Sequence, residues 1–170
     1  MSLTLLQKAE NGNRQALKKL IIESSEYIYK LAFIHTKFED DAIEIMKNTV
    51  DYMENNFNKI LKNKNFYMHI TKITIKHINE YMEEVGIVEN ENISYMNEDN
   101  KINLYNAIDL LDVYKKNVII LKYFYNMSYE EVGNILDMNE STVKIYIRNS
   151  FKIMKEIIEE EYTNGRRKIK

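Results

Sequence analysis

Asn126-Met-Ser-Tyr-Glu-Glu-Val-Gly-Asn-Ile-Leu-Asp-Met-Asn-Glu-Ser-Thr-Val-Lys-Ile-Tyr-Ile-Arg148 is the stretch on which the reading of this chain turns. Ser128 and Glu131 have the spacing of a capping box: the serine oxygen takes a backbone N–H, and the glutamate reaches back to the cap. Val132, Ile135 and Leu136 give the short helix they start an apolar face. Asp137-Met138-Asn139 reads as a turn, with Asn139 as the cap of a second helix. Val143, Ile147 and Ile153 hold that helix against the first. Its outer face carries Ser141, Lys144, Tyr146, Arg148 and Lys152. Two short helices meeting steeply, the second polar outside, describe a helix-turn-helix whose second helix fits the major groove. Spacing alone leaves another reading open, a plain helical hairpin with a solvated charged face.

Upstream, Asp112 can cap a helix running through Val118, Leu121 and Phe124, and helical spacing begins at Leu104, Ile108 and Leu111. Nearer the N-terminus, three stripes recur at helical intervals. They are Leu17, Leu20, Ile21, Ile28 and Leu31; Ala42, Met46, Thr49, Met53, Phe57 and Ile60; and Phe66, Ile70, Ile73, His77 and Tyr81. With a short first helix around Leu3 to Ala9, they predict a four-helix domain ending near Glu84. Residues 86–103 hold Gly86, five asparagines and four acidic residues with little apolar spacing. They are expected to be a flexible linker. The predicted fold is therefore all-α: two small helical domains, 1–85 and 104–160, joined by the linker 86–103 and followed by a basic tail over 161–170.

Composition supports that class. Among 170 residues there is no proline and there are four glycines, so strands and tight hairpins lack their usual punctuation. Hydrophobic residues make up 45%, enough for a core. No apolar run approaches the roughly 18 residues of a membrane span. Met1-Ser2-Leu3-Thr4 does not read as a secretion signal. The absence of cysteine removes disulfides, thiolate metal sites and thiol nucleophiles. A cytoplasmic location is expected, with no membrane insertion. The net charge of -2 is low for a DNA-binding protein, but its distribution is uneven. Residues 141–170 are net basic, whereas Glu83 to Asp99 is acidic. Richness in Lys, Ile and Asn indicates an AT-rich coding genome.

From Leu121 to Lys144 the chain resembles region 4 of the sigma-70 family of RNA polymerase sigma factors. The match is carried by Ser128, Glu130, Glu131, Val132, Leu136, Thr142, Val143 and Lys144. Gly133, Asn139 and Ser141 are mild departures. A helix-turn-helix of this kind also occurs in LuxR-type regulators, and the N-terminal half decides between them. Asp40-Asp41-Ala42-Ile43-Glu44 resembles the acidic signature of sigma region 2.2. Ala9 to Leu17 and Leu31-Ala32 resemble the opening helices of the extracytoplasmic-function (ECF) group. Phe66 to Ile73 resembles a further region 2 motif. The likeness spans almost the whole chain, with both domains in order. His69, Lys47 and Lys76 stand where the family usually has tryptophan, glutamine and asparagine. Met82-Glu83-Glu84 replaces a basic cluster, and Tyr146 and Asn149 replace arginines. Such divergence, with the AT-rich composition, is similar to the clostridial toxin- and bacteriocin-gene sigma factors.

The resemblance implies a non-enzymatic subunit that binds core RNA polymerase and promoter DNA, with an anti-sigma factor as a further partner. For the -10 element it implies Asn65, Phe66, Tyr67, His69, Lys72, Lys76, Asn79 and Glu80. Phe66, Ile70 and Ile73 read equally as core, and His69 is open between packing and DNA contact. For the polymerase contact it implies Asp41, Glu44, Ile45 and Asn48, while Asp40 and Asp41 also suit a helix start. For the -35 element, Glu140, Ser141, Lys144 and Ile145 are expected to face bases and Arg148 and Lys152 phosphates; Thr142 and Tyr146 complete the set. No catalytic residue, metal or cofactor is expected. His35, His69 and His77 lack ligand spacing, and no phosphate-binding loop or nucleophile motif is present. The competing expectation is a degenerate sigma-like regulator or interaction module that does not start transcription.

Overall fold

In a computed structural model of the chain, residues 4–61, 65–85 and 104–167 are described. They belong to two compact units, Met1–Tyr81 and Met82–Lys170, and every described element is helical. The all-α class predicted from the stripes holds. The expected linker, 86–103, lies outside the described residues, as do Lys168 and Lys170 of the basic tail. Among the described residues no helix is long and apolar enough to cross a membrane.

The first unit contains α1 (Leu5–Glu10), α2 (Arg14–Thr36), α3 (Glu39–Leu61) and all but the last three residues of α4 (Phe66–Glu84). The first helix starts later than expected, because Thr4 and Gln7 form a capping box. Their side chains and backbone N–H groups bond reciprocally, satisfying donors that a helix start leaves bare. Asn13 caps α2 by accepting from the N–H groups of Gln15 and Ala16. Lys37, left-handed at φ 64°, ends α2 and turns the chain into α3. Leu20, Ile28, Met53, Ile60 and Ile70 form the centre of the core. Burial of each such side chain contributes about 1.5–3 kcal/mol.

Hydrogen bonds then fix α4 against both neighbours. Tyr27 of α2 meets Thr71 of α4 at 2.6 Å, and Thr49 of α3 meets His77 of α4 at 2.8 Å. The Thr71 hydroxyl donates to the Tyr67 carbonyl at 2.7 Å, so the Tyr27 phenol is the donor to Thr71. The Thr49 hydroxyl donates to the Ile45 carbonyl at 2.9 Å, so Nδ1 of His77 carries the shared proton.

The second unit contains α5 (Leu104–Asp109), α6 (Val113–Ile119), a π-helical turn (Ile120–Phe124), α7 (Tyr129–Leu136) and α8 (Glu140–Arg167). Asp112 caps α6, accepting from the Lys115 N–H at 3.0 Å. The expected helix through Phe124 is not a uniform α-helix. Its last part widens, with the Tyr125 N–H reaching back to the Ile120 carbonyl at 3.2 Å. Ile120 and Leu121, at the start of the wide turn, are both buried. Lys116 and Asp109 form an ion pair at 2.8 Å between α6 and the end of α5, each side chain 7% exposed. The last helix passes well beyond the helix-turn-helix. Met154 is buried with Ala107, Ile108 and Leu111 of the α5 region, and Ile153, Ile157 and Ile158 pack on that cluster.

Candidate nucleic-acid interface

The helix-turn-helix of the second unit is built by its caps. The N–H of Ser128 donates to the Glu131 carboxylate at 2.8 Å, and the N–H of Glu131 to the Ser128 hydroxyl at 3.1 Å. These bonds hold the Glu131 carboxyl below the usual carboxylate range. Asp137, left-handed at φ 55°, ends α7. Gly133 lets the turn close: a Cβ there would lie 2.5 Å from the Met138 carbonyl oxygen. The replacement of alanine by Gly133 is therefore not a mild one in this geometry. Asn139 then caps α8, accepting from the Thr142 N–H at 2.8 Å and the Thr142 hydroxyl at 3.0 Å.

On α8, Val143, Ile147, Ser150 and Met154 are buried. At about 100° per residue, the opposite side carries Ser141, Ile145, Arg148 and Lys152. All of these are exposed. Glu140 and Lys144 are exposed at the edge of this row and paired at 3.3 Å. Two expected contacts sit differently. Tyr146 lies towards the buried side and is half-buried, and Thr142 is half-buried with its hydroxyl bound to the cap. Both shape the helix rather than its outer row. Ile153, expected to hold α8 against α7, packs instead on the α5 cluster.

Sequence reasoning passed over Lys122 and Tyr129. The Tyr129 ring lies under the Lys122 ammonium at 4.6 Å and the Lys144 ammonium at 5.0 Å. Lys122 also donates to the Met127 carbonyl at 2.7 Å. Cation–π contact of this kind gathers two positive charges beside the start of α8. The only sequence signal for it is an aromatic residue placed directly after the Ser128 cap.

In the first unit, Asn65, His69, Lys72, Lys76, Asn79 and Glu80 fall on one side of α4 at helical spacing. Asn65 accepts from the Met68 N–H at 3.2 Å and so begins the helix. Lys76 and Glu80 are exposed and paired at 3.2 Å. His69, Lys72 and Asn79 are half-buried. Burial first, then the charges of Lys59 and Lys72, push the His69 imidazole below its ordinary value. Lys59 of α3 thus belongs to the same basic surface, a residue the sequence reading missed because it comes from another helix. Two expected residues leave the group. Phe66 is 2% exposed and sits in the core, so its ring is unavailable to DNA. Tyr67 lies on the opposite side of α4, edge-on to Tyr27 with ring centroids 6.1 Å apart.

At the start of α3, Glu39, Asp40 and Asp41 occupy the first turn, where negative charge suits the helix dipole. Glu44 and Asn48 are exposed and Asp41 half-buried. Ile45 is 0% exposed, which corrects its expected place on the partner-facing surface. It lies in register with Ala42 and Thr49 and belongs to the core stripe. Tyr81 of α4 hydrogen-bonds Asp41. Burial, that bond, and the charges of Asp41 and Glu44 push its phenol up to about 12.

Comparison with known proteins bears on both units. Residues 101–154 match the family described as Sigma-70, region 4. The RNA polymerase sigma factor SigV of Bacillus subtilis (strain 168) is 22% identical over 156 residues, covering 87% of this chain and 94% of that protein. Among solved structures, the sigma factor RpoE of Bartonella quintana, in complex with the anti-sigma factor NepR, superposes with a TM-score of 0.65. It is 15% identical, covering 84% of this chain and 96% of its own. CnrH in complex with the cytosolic domain of CnrY gives a TM-score of 0.68 at 15% identity, covering 92% of this chain and 96% of that one.

Proposed function

We propose that this chain is an alternative sigma factor of the sigma-70 family in its ECF form, which binds core RNA polymerase and directs promoter-specific initiation. The observation that carries the reading is the capped helix-turn-helix whose outward row, Ser141, Ile145, Arg148 and Lys152, is exposed on the segment matched to region 4. A helix presenting such a row fits the major groove, with basic ends meeting phosphates. The protein is a binding subunit and performs no chemistry of its own.

In this reading Ser141, Ile145 and Lys144 with Glu140 meet the -35 element, and Arg148 and Lys152 its phosphates. The α4 side bearing Asn65, His69, Lys72, Lys76, Asn79 and Glu80 meets the -10 element. Asp41, Glu44 and Asn48 meet the polymerase. An anti-sigma factor is a further partner, as it is for the Bartonella RpoE. The site of action is the cytoplasm, and the finer kinship is with the clostridial toxin- and bacteriocin-gene group. Support for that kinship is the Lys-, Ile- and Asn-rich composition together with Met82-Glu83-Glu84 at the end of α4. The same acidic ending and the net charge of -2 favour, as a second reading, a sigma-like regulator that does not start transcription.

Substitution separates the parts. Lys144→Ala lowers promoter-dependent transcription and leaves binding to core polymerase unchanged. Equal transcription from the variant contradicts the placement of Lys144. Charge reversal of Asp41 and Glu44 has the opposite signature, with core binding lost first.

A further inference from the structure

The outward row of α8 contains one side chain without a polar atom, Ile145. It is 47% exposed. A single exposed isoleucine is ordinary on a protein surface, but this one lies between Ser141 and Arg148 on the side that meets DNA. Val143 and Ile147 fill the seam behind it, so Ile145 cannot turn inward without displacing them. Pressed into a major groove, an aliphatic side chain covers whatever base edge it meets. Against a carbonyl or amino group it leaves that group unpaired at a cost. The thymine C5 methyl is the one apolar group displayed there.

We propose that Ile145 is a specificity-determining residue that reads a thymine methyl in the -35 element. The inference rests on the promoter reading above and deepens it by naming the base. Arg148 and Lys152 supply attraction that is blind to sequence. Ser141 pairs with any of several edges. Discrimination at the centre of the row therefore falls to apolar contact.

The test uses the full chain bound to core RNA polymerase. Duplexes are enriched from a pool randomised across the -35 window. Each thymine of the enriched sequence, on either strand, is then replaced singly by deoxyuridine, which removes only the methyl. At one position the replacement is expected to weaken wild-type binding about fourfold, the worth of one buried methylene-sized group. Ile145→Ala binds the thymine and deoxyuridine duplexes equally at that position, and Ile145→Val falls between. Circular dichroism and thermal unfolding of the variants, whose change is at an exposed position, confirm that the helix is kept. Three results overturn the proposal while leaving the promoter reading standing: an enriched sequence without thymine, no loss at any thymine, or equal losses in wild type and Ile145→Ala. Failure to enrich any duplex overturns the promoter reading, and this inference with it.

Discussion

Ser128 and Glu131 each satisfy a backbone donor of the other, so either truncation leaves the start of α7 with bare N–H groups. Ser128→Ala is expected to cost about 1 kcal/mol of stability. Urea unfolding followed by circular dichroism measures it, and an unchanged midpoint would show the cap to be idle. These capping residues were legible in the sequence because the pattern is local: an oxygen, a carboxylate and a fixed spacing. The burial of Ile45 was legible in part. Its register with Ala42 and Thr49 was readable, but the family likeness drew it into the acidic surface beside it. Ile145 has the same side chain, and its exposure follows from lying opposite Val143 and Ile147. Lys122 and Tyr129 were not legible, since their contact depends on how the π-helical turn brings Lys122 back towards α7.

At the scale of elements, the turn between α7 and α8 depends on Gly133. Gly133→Ala places a methyl 2.5 Å from the Met138 carbonyl. Backbone must shift to accept it, and overpacking of this kind costs about 1–3 kcal/mol. The expected outcome is a lower thermal midpoint together with weaker promoter binding, because α8 moves with the turn. Full binding at an unchanged midpoint would mean that the turn relaxes freely. The join between α5 and α6 gives a sharper case. Lys116 and Asp109 are buried together, and removal of one partner strands the other charge at a cost of about 3–5 kcal/mol. Lys116→Met is therefore strongly destabilising, and the double variant Lys116→Met/Asp109→Leu recovers much of the loss. Calorimetry of the single and double variants decides it, and equal loss in both would deny the coupling. Nothing in the sequence announced this pair. Lysine is rarely buried unless paired, and only the fold brings Asp109 to Lys116. The widened turn after Ile119 was equally hidden, because apolar spacing fits an α-helix and a π-helical turn almost alike.

For the molecule as a whole, acidification is expected to weaken the first unit before the second. Burial depresses the imidazoles of His69 and His77 below the ordinary value of 6.5. The unfolded chain therefore binds protons that the folded unit resists. This stabilisation is full above the ordinary value and is lost as the pH falls from there through the folded values. Glu131 acts in the same direction lower down, its contribution lost as the pH falls below the ordinary 4.5 and through its depressed folded value. Thermal unfolding of the full chain at a pH of about 7.5 and about 5.5 should show a fall in midpoint. The variant His69→Gln/His77→Gln should show a smaller fall, and an identical fall would remove the histidines from the account. The two helical halves were legible because their stripes are long and regular. A net charge of -2 gave no such guidance, since it sums an uneven distribution in which residues 141–170 are net basic and Glu83 to Asp99 is acidic.

The central claim is that this chain gives core RNA polymerase its promoter. The most direct measurement mixes the purified protein with bacterial core RNA polymerase and follows run-off transcription from the DNA upstream of its own gene. The account predicts a stable complex with core and a transcript of defined start that core alone does not make. No binding to core polymerase from the same organism would contradict it.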